Sequence, residues 1–342
     1  MHPYFVGLDV HKQVIAYCVK TASGEIVKEG KLPATRRSLE EWVTTLPGRW
    51  SGGMEATMFS HWIFRRLQPH AAELQMGHPA RMKAISSGKK KSDKLDARTM
   101  ADLLRANLWP ACYVMPPALE GLRRQLRFRR LVMEETVRFK NKTAGLLMEN
   151  GIEYERRRLH GKRYFAEILK KENSEVDQDL RPLLEFSRSQ IEDLGRMDDR
   201  LMRMLGQHPR LQARLEALRE IDGVGPVTAL TWALEVGDPA RFGSIKQAVS
   251  YCGLASALRE SAGVDKRGPL SKQRNRHLQT VLIEAAKISV MYHPKLRELY
   301  DKAREKGHAN RASLVVARKL VAYLLAADRA FAATPTAASQ AA

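Results

Sequence analysis

The stretch YFVGLDV at Tyr4–Val10 decides the fold: it is an apolar run that ends on a single acid, Asp9. A second apolar run, VIAYCV at 14–19, follows it, and two more apolar residues at 26–27 come after the turn residues SGE at 23–25. Short apolar runs separated by turn residues predict a β-meander. Because a charge near the end of an apolar strand is costly to bury without a cation or partner, Asp9 is a candidate metal ligand.

Helices are predicted in the residues that follow this meander. Apolar residues recur at helical spacing over 39–46 and 59–67, and a short strand is predicted at 73–76. A further helix is predicted over 93–104, after a basic loop formed by Lys89, Lys90 and Lys91. Residues 1–115 are therefore expected to form an α/β domain.

The middle of the chain has a different pattern. Apolar residues repeat at three- and four-residue steps over 119–147 and again within 183–205, on a very polar background, which predicts a long α-helical coiled-coil arm over 116–205. The arginines of its first helix have two interpretations, since they could line the solvated face of a coiled coil or bind phosphates. They are Arg123, Arg124, Arg127, Arg129, Arg130 and Arg138.

The last third, 206–331, is predicted to be a mainly α domain, followed by a low-complexity, disordered tail over 332–342. Its IDGVG segment has the form of a helix–hairpin–helix turn, in which Gly223 and Gly225 let backbone N–H groups approach a phosphate. A helix connection with only a packing role is the alternative.

Residues 252–277 are short of bulky apolar side chains and are interpreted as an exposed loop. It contains three serines, Ser256, Ser261 and Ser271. From the residues alone Ser261 is interpreted as a turn residue, and Ser271 has the position of a helix N-cap. Basic residues around them are candidate phosphate contacts, namely Lys266, Arg267, Lys272 and Arg276.

The charge balance favours a polyanionic partner. Lysine and arginine number 58 against 38 acids, a net charge of +20, so nucleic acid is the first candidate and a basic protein that binds none is the alternative. No apolar run approaches the roughly 20 residues that span a bilayer and no signal-peptide core is found, so a cytoplasmic protein without a membrane role is expected. Cys18, Cys112 and Cys252 form neither a zinc spacing nor a disulfide framework.

Four acids make up the candidate metal site: Asp9, Glu55, Asp93 and Asp96. Asp93 and Asp96 are three residues apart on a predicted helix and project from one face. Such oxygen ligands suit two hard cations such as Mg²⁺, or Mn²⁺. Each acid also has a structural alternative, since Asp93 or Glu55 could cap a helix and Asp96 could pair with Lys94 or Arg98.

Three motifs resemble the DEDD signature of the insertion-sequence "one-ten" family of transposases: GLDVHK at 7–12, MEAT at 54–57 and DKLDAR at 93–98. The resemblance extends to the C-terminal third. It implies that 1–115 is a ribonuclease H-like (RuvC-like) domain, similar to Holliday-junction resolvases, in which the four acids are catalytic. By position in the family pattern, Ser261 matches the serine that attacks the DNA phosphodiester and forms a covalent phosphoserine link. Ser256 and Ser271 are its competitors for this role.

The same resemblance implies the partners. They are target and donor DNA, a bridge RNA that pairs with both, and further copies of the chain in a homodimer or homotetramer. Two other functions stay open. A metal-dependent, structure-selective endonuclease of the junction-resolvase type would need the acids but no serine, and a non-catalytic nucleic-acid-binding protein is disfavoured by the retention of all four acids.

Overall fold

The computed structural model describes residues 4–85, 93–170, 179–261 and 264–334, with backbone only at 84, 94, 257–261 and 264–267. The basic loop Lys89, Lys90 and Lys91 and the end of the predicted tail, 335–342, lie outside the described residues. The chain divides into two compact units, Met1–Val114 and Met115–Ala342. Within the described part of the chain, no helix is long and apolar enough to cross a membrane.

The first unit is built on a five-stranded mixed sheet. The strands are β1 (Tyr4–Val10), β2 (Val14–Thr21), β3 (Ile26–Pro33), β4 (Trp50–Glu55) and β5 (Glu73–Gly77). They are ordered β3-β2-β1-β4-β5, with the first three antiparallel, as predicted, and β4 and β5 parallel to β1. The α/β class predicted for this part of the chain is confirmed.

The two faces of the sheet carry different helices. These helices are α1 (Arg36–Val43), α2 (Ser60–Leu67), α3 (Pro79–Ile85) and α4 (Asp93–Arg105). Val6 and Leu8 of β1 join the core formed with α1 and α2. Because successive side chains of a strand point to opposite faces, Gly7 and Asp9 lie on the other face, against α4.

Gly7 allows α4 to lie directly on β1. A Cβ atom at this position would be 2.1 Å from the carbonyl oxygen of Ala97 and 2.5 Å from the backbone nitrogen of Ala101, both on α4. Such a contact is not tolerated, so a glycine is required for this close approach. The same packing brings the N-terminal end of α4, with its two acids, to the end of β1.

The second unit contains a pair of long antiparallel helices, α5 (Pro117–Glu149) and α7 (Leu180–Gly206). Arg129 of α5 forms an ion pair with Asp198 of α7, and further along the rings of Phe139 and Phe186 are 6.1 Å apart, which fixes the antiparallel direction. The long helices were predicted, and their supercoiling stays a prediction. A helix that was not predicted, α6 (Lys162–Lys170), lies between them in the chain.

The rest of the second unit is mainly helical, as predicted, around one large core. Its centre is α9, whose residues from Thr228 to Val236 are all buried. The helices are α8 (Gln212–Arg219), α9 (Pro226–Val236), α10 (Ile245–Tyr251), α11 (Arg276–Tyr292), α12 (Pro294–Glu305) and α13 (Ala309–Ala332).

Two sequence-based interpretations in 252–277 are wrong. The segment interpreted as a loop contains an antiparallel hairpin, β6 (Ser256–Ser261) and β7 (Val264–Leu270). A two-stranded ribbon is joined by its backbone ladder, so it needs no run of apolar residues that a sequence pattern could reveal. Ser271 is not the cap of α11, because the cap is Asn275, whose side chain accepts hydrogen bonds from the backbone N–H groups of His277 and Leu278.

Candidate active site

Sheet geometry brings the predicted acids of the first unit together. Asp9 is the penultimate residue of β1, and Glu55 is the last residue of the parallel neighbour β4. Since Leu8 pairs with Met54, Asp9 and Glu55 are at the same level at the carboxyl edge of the sheet. Ligand sites of open α/β sheets are commonly found at this edge.

The acids and one histidine line a common cavity. It has a volume of about 540 Å³ and is lined by Asp9, His11, Glu55, Pro79, Ala80, Met82, Lys83, Asp93, Asp96, Thr99 and Met100. All four acids predicted from the sequence therefore face the same space. The α4 pair reaches it from the N-terminal end of the helix, and Asp9 and Glu55 reach it from the strands.

In the cavity, His11 lies close to both Asp9 and Asp93. His11 Nε2 is 3.1 Å from Asp9 Oδ2 and 3.6 Å from Asp93 Oδ1. One possible ligand atom from each of the three residues lies within 4.8 Å of the others, a spacing that a single metal ion could bridge. On the outer side, Lys31 Nζ donates a hydrogen bond of 2.6 Å to Asp93 Oδ2.

The electrostatics of the cavity suit a cation. Asp9 is buried, with 9% of its surface exposed, and this burial raises its pKa, as do the negative charges of Asp96 and Asp93, while His11 lowers it. Asp93 is more exposed, and the hydrogen bond from Lys31 lowers its pKa. A buried carboxylate among like charges is stabilised by positive charge nearby, so the donor set of carboxylate oxygens fits a hard divalent ion.

The structure disfavours two of the structural alternatives for these acids, the capping role of Glu55 and the pairing of Asp96 with Arg98. The N-cap position of α2 is Phe59, so Glu55 does not cap that helix. Arg98 makes a bidentate pair with Glu29, with hydrogen bonds of 2.7 and 2.8 Å, and so has a partner other than Asp96. The side chain of Lys94 lies outside the described part of the chain.

Sequence reasoning missed His11, Lys31 and Lys83 as residues of the site. His11 carried a usable signal, because it stands two residues after Asp9 and residues at that spacing share a face at the end of a strand. Lys31 comes from β3 and Lys83 from α3, and only the folded sheet brings them near the acids. No local spacing in the sequence could have indicated either lysine.

Ser261 belongs to the second unit, where it is the last residue of β6 and pairs with Val264 across the hairpin. The side chains of Ser261, Lys266 and Arg267 lie outside the described residues. Ser256 begins the same strand, and the hydroxyl of Ser271 accepts a hydrogen bond from the backbone N–H of Gln273. Two predicted phosphate contacts are exposed: Lys272 lies between the hairpin and α11, and Arg276 is the first residue of α11.

The predicted phosphate-binding arginines of α5 differ in their surroundings. Arg127 binds the buried carboxylate of Glu235 with two hydrogen bonds of 2.8 Å. Arg123 is half-buried, and burial and the neighbouring charge of Arg127 lower its pKa. Arg124 is largely exposed, with Glu120 3.6 Å away on the preceding turn. Of these three residues, Arg124 is thus the most accessible to a phosphate.

Gly223 has a clear packing role. Its backbone is in the left-handed region, with φ of +85°, and a Cβ atom would lie 2.7 Å from the Cα of Ser289 on α11. The turn between α8 and α9 therefore needs a glycine for packing whether or not it contacts a phosphate. Gly225, the N-cap residue of α9, has open space around its Cα.

Two transposase family models match this chain. A DEDD transposase model of the IS110 type, described as "Transposase", matches residues 6–150, and the model "Transposase IS116/IS110/IS902 family" matches residues 215–301. The first match covers the unit that carries the acidic cavity and implies the ribonuclease H-like class for its domain. The second covers the hairpin and the helices on both sides of it.

Curated relatives agree with these matches. The chain is 25% identical to the putative transposase y4qE of Sinorhizobium fredii, over 86% of this chain and 74% of the relative. It is 25% identical to a probable family 20 transposase of Pseudomonas aeruginosa, over 83% of each chain. It is 26% identical to the transposase for insertion sequence element IS1111A of Coxiella burnetii, over 92% of this chain and 86% of the relative.

The two models together cover more than half of the chain, and they come from the same family, which is also the one that the sequence motifs resemble. Both the acid-bearing unit and the serine-bearing segment are included in the matches. The chain belongs to the IS110 family of DNA transposases, of the DEDD type.

Proposed function

We propose that this transposase excises and inserts a mobile element by a metal-dependent reaction in which Ser261 forms a covalent bond to DNA. Asp9, Glu55, Asp93 and Asp96 would hold Mg²⁺, or Mn²⁺. The observation that carries the proposal is the single cavity lined by all four acids, with the carboxylate of Asp9 buried among like charges. Carboxylate oxygens in this number are the ligands that such ions prefer.

In this mechanism the sheet fixes the acids before DNA binds. Asp9 and Glu55 are held at the ends of paired strands, and Gly7 lets α4 bring Asp93 and Asp96 to them. Lys31 balances part of the negative charge of Asp93, and His11 is within hydrogen-bonding distance of Asp9. A bound divalent ion would supply stabilisation of the negative charge that develops on the phosphate.

The serine step conserves the energy of the DNA bond. The Oγ of Ser261 attacks phosphorus, the new Oγ–phosphorus bond forms as a phosphorus–oxygen bond of the DNA breaks, and the departing sugar oxygen takes up a proton while the serine loses one. Attack on the phosphoserine by the hydroxyl of another DNA strand reverses these steps and releases the serine. The strands are then exchanged.

The proposed mechanism assigns a role to each of three consecutive segments of the chain. Residues 1–115 would be the DEDD catalytic domain, 116–205 a coiled-coil arm that joins protomers in a dimer or tetramer, and 206–331 the serine-bearing domain. Target and donor DNA would be selected by a bridge RNA through base pairing, while the protein contacts backbones, and the net charge of +20 supports such contacts with polyanions. The chain would then need few residues that read bases directly.

The covalent step can be tested by comparing wild type with Ser261→Ala. Purified protein is incubated with Mg²⁺, DNA carrying the element's ends and RNA transcribed from its flanking non-coding sequence, and adducts are sought on denaturing gels and by mass spectrometry. We expect a protein–DNA adduct at Ser261 in wild type and none in the variant. Continued recombination by Ser261→Ala would exclude the serine mechanism and favour the junction-resolvase type of endonuclease.

The metal site can be tested without any DNA. Mn²⁺ binding to the intact protein, followed by titration calorimetry or electron paramagnetic resonance, should be weakened at least tenfold by Asp9→Asn. The matched control is Asp102→Asn on α4, the helix that carries Asp93 and Asp96, because Asp102 pairs with Lys20. Equal Mn²⁺ binding by wild type and Asp9→Asn would exclude the proposed site.

A further inference from the structure

A fully buried carboxylate lies in the second unit, near the end of α9. Glu235 has no exposed surface, and Arg127 of α5 binds both of its oxygens. Asn275 donates a third hydrogen bond, of 2.8 Å, from Nδ2 to Glu235 Oε2. Burial raises the pKa of Glu235, but the bonds to Arg127 and Asn275 outweigh it and keep the pKa below its usual value. Glu235 is therefore an ionised group whose bonds fix three chain segments together.

Asn275 is the centre of this cluster. Its Oδ1 accepts hydrogen bonds from the first backbone N–H groups of α11, and its own backbone N–H donates to the carbonyl of Tyr251 at 2.9 Å. Tyr251 in turn donates from its hydroxyl to the backbone carbonyl of Glu235, at 2.8 Å. Asn275, through its side chain and its backbone N–H, thus joins the end of α10, the start of α11 and the buried acid of α9.

These bonds lie at the base of the serine hairpin. The chain enters the hairpin after Tyr251, the end of α10, and leaves it before Asn275. Closer to the strands, the backbone N–H of Ser271 donates to the carbonyl of Ala255 at 3.1 Å. Gln279 of α11 donates to the carbonyl of Gly253 at 2.6 Å. The chain segments before β6 and after β7 are therefore hydrogen-bonded at the base of the hairpin, and Asn275 links this base to Glu235.

We infer that Arg127, Glu235 and Asn275 form a positioning cluster for the hairpin that carries Ser261. The cluster fixes the base of β6 and β7 on α9 and α5, and so sets where the serine is presented. This inference rests on the proposed function, because the position of the hairpin affects the reaction only if Ser261 attacks DNA. Displacement of a reacting group by about 1 Å can slow a reaction about 100-fold.

A role in stability alone is the competing explanation, and the chain offers a matched control for it. Arg214 of α8 binds the buried carboxylate of Asp328 on α13 with two hydrogen bonds of 2.7 Å. This pair has the same chemistry and an equally buried carboxylate, although Arg214 is more buried than Arg127. None of its described hydrogen bonds goes to the base of the hairpin. Asp328→Asn therefore shows how much stability is lost when a buried pair of this kind is disrupted away from the hairpin.

The test variant is Asn275→Asp. Its Oδ1 can still cap α11, but a carboxylate oxygen replaces the amide that donates to Glu235, and two like charges then face each other. Asn275→Ser is a second variant, since serine is also a good cap and is too short to reach Glu235. Both changes detach the hairpin base from the acid while they preserve the start of α11.

Three quantities are measured on the full-length protein with the DNA and RNA used above. They are the rate of adduct formation at Ser261, the affinity for DNA, and the backbone hydrogen exchange of 256–270 by mass spectrometry. For both Asn275 variants we expect adduct formation to slow by about 100-fold, DNA affinity to stay nearly unchanged, and exchange over 256–270 to become faster. Asp328→Asn should lower the unfolding temperature without faster exchange in this segment.

The outcomes distinguish a failure of the serine mechanism from a failure of the positioning role. If wild type forms no adduct through Ser261, the proposed serine mechanism is wrong, and the positioning role is wrong with it. If wild type forms the adduct and the Asn275 variants form it as fast as Asp328→Asn does, only the positioning role is wrong. Unchanged exchange over 256–270 in the Asn275 variants would also overturn the positioning role.

Discussion

At the scale of single residues, the candidate metal site depends on a glycine that packs against α4. Gly7 stands two residues before Asp9, and its lack of a Cβ lets α4 lie on β1. The contact sets the distance between Asp9 and the acids at the start of α4. Any side chain at position 7 must push α4 away from the strand and so separate the acids.

We therefore expect Gly7→Ala to weaken Mn²⁺ binding although it changes no ligand. The added Cβ would meet the backbone of Ala97 and Ala101, which cannot move without the whole helix, so we also expect destabilisation of about 1–3 kcal/mol. Mn²⁺ titration and urea denaturation measure the two effects.

The control for this substitution is Gly121→Ala on α5. A Cβ at Gly121 meets nothing within 4 Å, and alanine favours a helix over glycine, so this variant should be as stable as wild type or slightly more stable. It should bind Mn²⁺ like wild type. Wild-type Mn²⁺ affinity in Gly7→Ala would show that the spacing of α4 from β1 does not control the site.

The pKa of Glu235 gives a second prediction at this scale. Because its folded pKa lies below the ordinary value of 4.5, its contribution to stability is complete above pH 4.5 and is lost as the pH falls through the folded pKa. At pH 7, Glu235→Gln should lower the free energy of unfolding by about 3 kcal/mol, the lower end for a broken buried pair, since Arg127 is partly exposed.

Urea denaturation followed by circular dichroism, repeated from pH 7 to pH 3, measures this difference. The gap between wild type and Glu235→Gln should narrow below pH 4.5. The exposed pair Arg37–Glu41 supplies the control, because Glu41→Gln should leave the unfolding free energy unchanged at every pH. A gap for Glu235→Gln that stays constant down to pH 3 would contradict the assigned ionisation.

At the scale of elements, the sequence predicted those whose apolar periodicity is strong. The apolar runs of β1 and β2 and the 3.6-residue patterns of α4, α5 and α7 were predicted close to their observed bounds, whereas β3 was predicted only at 26–27 and extends to Pro33. The hairpin of β6 and β7 was not predicted, because its sequences SALRES and VDKRGPL show no alternation of apolar and polar residues. Its position depends on distant bonds such as that of Asn275 with Glu235, which no local pattern records.

Two arginines of the long helix α5 have different surroundings. Arg129 is mostly buried between them and pairs with Asp198 at 2.6 Å, whereas the side chain of Arg124 is 78% exposed. If Arg124 binds a DNA or RNA phosphate, Arg124→Ala should reduce the salt dependence of nucleic-acid binding by about one unit in the log–log slope.

Arg129→Ala should behave differently, because this arginine is already bound within the protein. We expect a loss of stability of the second unit with an unchanged salt slope. Binding of labelled DNA and RNA, measured by fluorescence anisotropy across a salt series, distinguishes the two variants. A wild-type slope for Arg124→Ala would assign that arginine to the solvated face of the helix.

At the scale of the whole molecule, the two candidate reactive groups belong to different units. The acids lie in Met1–Val114 and Ser261 in Met115–Ala342. Sequence motifs predicted both candidate groups, yet their neighbours, His11 and Lys31 beside the acids and Glu235 with Asn275 at the base of the hairpin, became visible only in the folded structure. These residues act through contacts between elements, and single-sequence patterns report mainly on contacts within elements.

The first unit should fold and bind metal without the second. Its core, formed by β1, β2 and β4 with α1 and α2, contains large buried side chains such as Trp42 and Trp50, and the described core members all come from this unit. Sheets of five strands covered by helices have enough buried apolar surface for independent stability.

We expect a protein made of residues 1–114 to show a cooperative thermal transition by circular dichroism and to bind Mn²⁺ with an affinity close to that of the full chain. Asp9→Asn in this fragment should abolish the binding, and Asp102→Asn should preserve it. A fragment that folds but binds Mn²⁺ much more weakly than the full chain would show that a ligand comes from residues beyond 114. In that case the acidic cavity would be only part of the metal site.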